Sequence, residues 1–107
     1  VYIQNDGKIV VAGYATIANV DYFVVARYNT DGSLDTAGFN SPTGYVTTAI
    51  QNGAQSKSVI LQANGQIIAA GYSIGDYETQ FALARYSTTG SLDTTFGTNG
   101  IVLTTIN

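Results

Sequence analysis

Short apolar runs alternate along the chain with turn-forming residues, and no helical periodicity is present. Gly-containing turns, Asn5-Asp6-Gly7 and Ala63-Asn64-Gly65, separate the first two runs of each half, a pattern typical of β-hairpins whose Gly adopts a positive φ. The runs predict eight strands: Val1 to Gln4, Lys8 to Ala15, Tyr22 to Tyr28 and Tyr45 to Ile50, then Ser56 to Gln62, Gln66 to Ser73, Gln80 to Tyr86 and Ile101 to Ile106.

The two halves are copies of one repeat of 58 residues. Val1 to Thr36 align with Val59 to Thr94 without a gap, and 17 of these 36 positions are identical. Further along, Gly44 to Thr48 match Gly100 to Thr104 at an offset of 56. We assign residues 1–55 to the first repeat, whose first strand is truncated, and residues 56–107 to the second.

Both faces of the predicted sheets are apolar. In the third strand Phe23 and Val25 lie on one face, whereas Val24 and Ala26 lie on the other. Because an ordinary antiparallel sheet has one wet face, such sheets must be stacked between similar sheets. The β-propeller stacks four-stranded antiparallel units of about 40 to 60 residues. We therefore predict an all-β chain of two propeller blades in tandem, with a single β-sandwich as the competing fold.

Three segments resemble the bacterial delta-60 repeat, a tandem repeat regarded as forming β-propellers. They are Gln4 to Tyr14, Phe23 to Thr36 and Phe81 to Gly100. The first repeat departs from the pattern at Ala37 to Pro42, where the Phe-Gly-Thr element of the second repeat is altered. The resemblance implies a secreted or cell-envelope location in bacteria and implies no particular ligand or activity.

Two blades are too few to close a propeller, which needs four or more. If each outer face exposes on the order of 300 Å² of apolar surface, this costs roughly 7 to 8 kcal/mol per face at about 25 cal/mol/Å². Patches of that size usually mark an interface. We therefore expect either that the two blades adjoin further repeats of a longer chain or that three or four copies form a homo-oligomeric ring of six or eight blades.

The composition excludes much enzyme chemistry. The 107 residues include no His and no Cys, which excludes a catalytic imidazole, a thiolate nucleophile, an ordinary zinc site and a disulfide. Four basic residues face seven acidic ones, for a net charge of −3, so we expect no nucleic-acid partner. The apolar runs are far shorter than the roughly 20 residues of a spanning helix, so we expect no membrane insertion.

Both arginines occupy equivalent repeat positions, Arg27 and Arg85, and equivalent aspartates, Asp35 and Asp93, follow eight residues later. A charge on an apolar strand needs a partner. We therefore expect one structural Arg–Asp ion pair in each blade. The alternative is that the arginines line a pore or pocket and hold an anion.

The segment Asn29 to Asp35 resembles a calcium-binding loop, with oxygen ligands at alternating positions before a Gly. Its counterpart, Ser87 to Asp93, lacks the central Asp31. Because a metal site should not vanish from an equivalent turn, we expect plain β-turns. The alternative is a weak Ca²⁺ site in the first repeat only. No metal and no cofactor are expected.

Three aromatic residues, Tyr22, Tyr45 and Tyr77, have no aromatic counterpart in the other repeat, and Tyr77 is flanked by Asp76 and Glu78. Loops at one end of a propeller often carry recognition. These five residues are therefore candidates for binding a glycan or a protein surface. We predict a non-enzymatic binding or scaffold module without catalytic residues. The alternatives are a glycosidase or lyase that uses the loop carboxylates and a purely structural repeat.

Overall fold

The computed structural model describes residues 1–105 as two four-stranded antiparallel sheets. The first sheet comprises β1 (Tyr2–Ile3), β2 (Ile9–Ile17), β3 (Val20–Tyr28) and β4 (Tyr45–Thr48), and the second comprises β5 (Ala54–Leu61), β6 (Ile67–Ile74), β7 (Thr79–Tyr86) and β8 (Ile101–Thr104). In both sheets the strands are neighbours in chain order. The predicted all-β fold with two four-stranded blades is confirmed.

The hairpin turns adopt the predicted glycine conformation. Gly7 has a φ of +87° and Gly65 a φ of +86°, values that a residue without a β-carbon adopts at little cost. The amide of Gly7 donates to the Gln4 carbonyl and that of Gly65 to the Gln62 carbonyl, each at 2.9 Å. Equivalent sequences therefore form equivalent turns in the two repeats.

Some strand boundaries differ from the prediction. β5 begins at Ala54 rather than Ser56, because its pairing with β6 continues across an irregularity between Ser56 and Ser58. The second sheet thus begins two residues before the assigned repeat boundary. β4 ends at Thr48, because the chain then turns and the Ile50 carbonyl accepts a hydrogen bond from the Gly53 amide. β8 ends at Thr104, and the predicted strand end at Ile106 lies outside the described residues.

We name the two faces of each sheet by residues of its third strand. The Phe face carries Phe23, Val25 and Arg27 in the first sheet and Phe81, Leu83 and Arg85 in the second. The Tyr face carries Val24, Ala26 and Tyr28 in the first sheet and Ala82, Ala84 and Tyr86 in the second. Directly paired residues of neighbouring antiparallel strands point to the same face. Val10 and Thr48 therefore lie on the Phe face, and Val11 lies on the Tyr face.

The Phe face of the first sheet packs against the Tyr face of the second. One buried cluster joins residues of both faces: Val10, Phe23 and Val25 from the first sheet, and Ile67, Ala69, Ala84 and Tyr86 from the second. The contact is head to tail, because unlike faces meet. It leaves the Tyr face of the first sheet and the Phe face of the second outermost, and neither sheet closes on itself.

Residues 1–105 contain no helix with the length and apolar character needed to cross a membrane.

Candidate functional site

A buried ion pair joins β3 of the first blade to the loop that follows it. Arg27 Nε donates to Asp35 Oδ2 at 2.8 Å, and Lys8 Nζ donates to the same oxygen at 2.9 Å. The Gly38 amide donates to Asp35 Oδ1 at 2.9 Å. The hydrogen bond from Lys8, with further contributions from Gly38 and Arg27, holds the pKa of Asp35 below its usual value.

The second blade carries the equivalent pair in a more exposed form. Arg85 Nε donates to Asp93 Oδ2 at 2.9 Å. Gln66, which stands where the first repeat has Lys8, donates to the same oxygen at 2.7 Å. Hydrogen bonds from the Thr95 hydroxyl and amide, followed by those from Arg85 and Gln66, lower the pKa of Asp93 to about 2. Each blade thus has one Arg–Asp pair.

The guanidinium of Arg27 also reaches across the junction between the blades. Arg27 Nη1 donates to the Thr88 carbonyl at 2.9 Å, and Nη2 donates to the Gly38 carbonyl at 2.8 Å. Together with the Asp35 bond, every guanidinium nitrogen has an acceptor within the protein. This geometry favours the structural role of Arg27, because holding an external anion would break bonds that already stabilise the junction.

Phe39 lies beneath Arg27 although it belongs to the segment in which the first repeat departs from the second. The Arg27 Cζ atom is 5.0 Å from the Phe39 ring centroid, and Arg85 Cζ is 4.6 Å from that of Phe96. Phe39 is fully buried. The altered segment therefore preserves the cation–π contact. Its Phe39 follows Asp35 by four residues, whereas Phe96 follows Asp93 by three.

The same ring covers Gly90 of the second blade. A β-carbon at Gly90 would lie 3.0 Å from Phe39 Cζ. Next to Gly90, the main-chain amide of Asn40 donates to the Thr89 carbonyl at 2.7 Å. The loop after β3 in the first blade thus packs on the turn after β7 in the second.

A hydrogen bond between hydroxyls completes the junction. The Tyr86 and Thr48 hydroxyl oxygens are 2.5 Å apart, and both side chains are buried. Burial raises the pKa of Tyr86 to about 12. The bond joins the Phe face of one sheet to the Tyr face of the other.

Sequence reasoning identified Arg27 as a structural residue but did not identify Phe39 or the acceptors in the second blade. Two of the acceptors, on Thr88 and Thr89, are main-chain carbonyls, which leave no signature in side-chain type. Phe39 had a signal: a Phe follows the paired aspartate in both repeats, four residues after Asp35 and three after Asp93. The expectation that the element was altered concealed this equivalence.

The candidate binding residues Asp76, Tyr77 and Glu78 lie in the turn between β6 and β7. Tyr77 is 98% exposed. Asp76 Oδ1 accepts from Asn52 Nδ2 at 2.9 Å, Glu78 Oε1 accepts from the Thr105 hydroxyl at 3.3 Å, and the Gly75 amide donates to the Glu78 carbonyl at 2.8 Å. The turn is thus held on both sides while the Tyr77 ring projects into solvent.

The other two candidates lie apart from this turn, on the Tyr face of the first sheet. Tyr22 pairs with Ala15 near the start of β3, whereas Tyr45 pairs with Ala26 near the end of β3. Tyr22 and the Tyr77 turn belong to the same end of the blades, and Tyr45 belongs to the opposite end. The five candidates therefore do not form one site.

The segment that resembles a calcium-binding loop forms an Asx turn, as the plain-turn interpretation predicts. Asp31 Oδ1 accepts from the Ser33 amide at 3.0 Å and from the Ser33 hydroxyl at 2.6 Å. The Ser33 hydroxyl bond is the main cause of the lowered pKa of Asp31. Over the described part of the chain, no three acidic side chains converge in a way that could hold a metal ion.

Three surface grooves are lined by other residues. A groove of about 380 Å³ separates the two hairpin turns near Gln4 and Gln62, and one of about 500 Å³ lies between Ile50 and Thr98. A smaller groove of about 120 Å³ lies on the outer Phe face beside Phe81 and Tyr72. None of the three is lined by Asp76 or Glu78.

Comparison with protein families gives a match in each blade. A family model described as a β-propeller domain of unknown function, DUF5122, matches residues 4–37 and 62–96. These segments cover well over half of the chain, and both include an Arg–Asp pair with the two central strands of a blade. No curated protein and no solved structure matches the chain.

Proposed function

Because the chain belongs to the DUF5122 β-propeller family, we propose that it serves as a non-enzymatic propeller scaffold that presents the Tyr77 turn to a glycan or a protein surface. We further propose that its repeats are of the delta-60 type and that it works at the bacterial cell envelope or after secretion. A glycan partner suits such a location, since cell surfaces are rich in carbohydrate.

The Tyr77 turn is the observation that carries the proposal. A tyrosine ring offers a large, rigid contact surface with a polar tip, and this ring is 98% exposed. Asp76 and Glu78 are held by Asn52 and Thr105, so the turn needs little further ordering when it binds. Pre-organisation of this kind lowers the entropic cost of binding.

The basic side chains support a partner other than nucleic acid. Lys8 and Arg27 both pair with Asp35, and Arg85 pairs with Asp93. Lys57 Nζ lies 5.7 Å from the ring centroids of both Tyr14 and Tyr72. Few positive charges are therefore available to neutralise phosphates.

A glycosidase or lyase that uses Asp76 and Glu78 is the second candidate. Paired carboxylates need a pocket in which both reach one substrate bond. The hydrogen bonds to Asn52 and Thr105 and the exposed position of the turn favour recognition over this chemistry. The variant Asp76→Asn/Glu78→Gln separates the two: loss of a hydrolytic or eliminating activity on polysaccharide substrates would favour the enzyme.

The scaffold proposal is tested by incubating the fluorescently labelled chain with a glycan array and, in parallel, with an array of cell-surface proteins. We expect binding that Tyr77→Ala abolishes and that the control Tyr2→Ala, at the opposite end of the blades, leaves intact. Loss with Tyr2→Ala alone would move the recognition surface to the other end. Absence of binding on both arrays would favour a purely structural repeat.

A further inference from the structure

The blade pair has one outermost face of each kind, a Tyr face on the first sheet and a Phe face on the second. A Phe face and a Tyr face are also what meet at the internal contact. The Phe face of the first sheet is covered by the Tyr face of the second. The outer Phe face of the second sheet exposes Phe81, and the outer Tyr face of the first sheet exposes Val11 and Tyr45. The two outermost faces are therefore of the same two kinds that pack against each other inside the pair.

The internal junction rests on three specific contacts. Arg27 donates to the Thr88 carbonyl, the Phe39 ring covers Gly90, and the Thr48 hydroxyl bonds to that of Tyr86. In each contact the first residue belongs to the first blade and the second belongs to the second blade.

Each of these residues has an equivalent in the other repeat. On the second blade, Arg85, Phe96 and Thr104 stand where the first has Arg27, Phe39 and Thr48. On the first blade, Thr30, Gly32 and Tyr28 stand where the second has Thr88, Gly90 and Tyr86.

The exposures of these equivalents follow the junction. Thr48 is buried whereas Thr104 is exposed, and Gly90 is buried whereas Gly32 is exposed. A β-carbon at Gly32 would have no atom within 4 Å, in contrast to the one at Gly90. Tyr86 is fully buried whereas Tyr28 is half-buried. The residues of a second junction of this kind are therefore present, one set on each outermost face of the blade pair.

We propose that a second copy of this chain docks the Tyr face of its first sheet onto the Phe face of the second sheet, repeating the internal junction. In this contact Arg85 donates to the Thr30 carbonyl of the second copy. The Phe96 ring covers Gly32 of the second copy, and Thr104 bonds to its Tyr28. Because the interface is head to tail, each docked copy offers the same open face again, and a ring results when the rotation closes. Three or four copies give six or eight blades. The docking is independent of any ligand of the Tyr77 turn.

The test uses the whole chain and two charged substitutions at exposed positions. Phe81→Asp blocks the Phe face of the second sheet, and Val11→Asp blocks the Tyr face of the first. Light scattering at micromolar concentration should give the unchanged chain three or four times its 11.2 kDa mass. Each variant alone should remain a single chain, and an equimolar mixture should form a complex of one copy of each, since one productive pair of faces survives.

The control is Ala18→Asp, in the turn between β2 and β3, where Ala18 is exposed and has a φ of +52°. Asp tolerates this conformation at least as well as Ala, and the variant should keep the mass of the unchanged chain. Circular dichroism checks that all variants remain folded.

A gentler variant addresses one contact of the interface. Gly32→Ala should weaken assembly about tenfold by opposing the Phe96 ring of the second copy. A single-chain mass for the unchanged protein would overturn the proposal. So would dimers formed by Phe81→Asp alone, which indicate like faces meeting, or a mixture of the two charged variants that stays monomeric.

Discussion

Phe23 and Phe81 occupy the same position in the two repeats, yet Phe23 is fully buried and Phe81 is 64% exposed. Both lie on the Phe face, next to a tyrosine of the preceding strand, Tyr14 or Tyr72. Within residues 1–105, the first sheet has a neighbouring blade on that face whereas the second has none, and this accounts for the difference. Comparing Phe23 with Phe81 therefore shows how much a neighbouring blade contributes to the stability of the fold.

Alanine substitutions at the two phenylalanines should have unequal effects. Phe23→Ala removes a fully buried ring from the junction and should lower the free energy of unfolding by about 3 to 5 kcal/mol. Phe81→Ala should change it by less than about 1 kcal/mol at protein concentrations where single chains prevail. Urea denaturation of both variants measures the difference. Equal losses under those conditions would mean that the two faces are covered alike.

Two glycines isolate the contact made by Phe39. Gly32 and Gly90 have nearly the same φ, +90° and +93°, so alanine introduces similar backbone strain at both. At Gly90 the new methyl group also meets the Phe39 ring. In the single chain, Gly90→Ala should therefore destabilise by about 1 to 3 kcal/mol more than Gly32→Ala. Matching thermal denaturation midpoints would show that Phe39 does not occupy the junction as described.

Acid should destabilise the protein through its paired carboxylates. The folded chain lowers the pKa of Asp35, chiefly through Lys8, and that of Asp93 to about 2, chiefly through Thr95. Stability from these groups is complete above about pH 5 and is lost as the pH falls toward about 2, because the unfolded chain takes up protons first. Without His, no comparable change is expected between about pH 5 and 8.

Melting temperatures of the unchanged chain and of Asp93→Asn measure this effect. The variant should be less stable at neutral pH and should lose less stability on acidification, since it no longer carries one of the titrating groups. A melting temperature of the unchanged chain that stays constant from about pH 5 to about pH 2.5 would contradict the lowered pKa values.

The buried hydroxyl pair should make the chain sensitive to alkali. Burial raises the pKa of Tyr86 to about 12 from the usual 10. The unfolded state therefore ionises first, and stability falls as the pH rises from about 10 to 12. Tyr86→Phe removes this contribution. At neutral pH it leaves the Thr48 hydroxyl without its partner, for a loss of about 1 kcal/mol.

The matched control is Tyr28→Phe, at the equivalent position on the outer Tyr face. In the single chain it should change stability by less than about 0.5 kcal/mol. Denaturation at pH 7 and ultraviolet titration of the tyrosines measure both variants. A titration curve that Tyr86→Phe leaves unaltered at its alkaline end would contradict the burial of this hydroxyl.

The sequence was sufficient to predict the blades because repetition and alternation are local signals. Gly7 and Gly65 indicated equivalent hairpins. Apolar residues on both faces of the third strand, such as Val24 on one face and Val25 on the other, indicated stacked sheets. The contacts at the junction between the blades could not be predicted from the sequence. Main-chain acceptors such as the Thr88 carbonyl are the same in every residue, so only the folded arrangement reveals that Arg27 reaches one.

Strand ends and the candidate site were also set by tertiary contacts. β5 extends back to Ala54 because β6 provides a partner as far as Ser73, which no property of Ala54 announces. Tyr22, Tyr45 and Tyr77 shared a sequence property, the absence of an aromatic counterpart, but no common location. Position within a repeat determines the face and end on which a side chain lies, and these three occupy different positions.

We propose that the two blades are a fraction of a ring assembled through one repeated head-to-tail junction. Sedimentation equilibrium of the unchanged chain over a range of micromolar concentrations measures the mass of the assembly. We expect a limiting mass of three or four times 11.2 kDa, with dissociation to single chains on dilution. A folded chain that keeps the mass of one copy at every concentration would contradict this proposal.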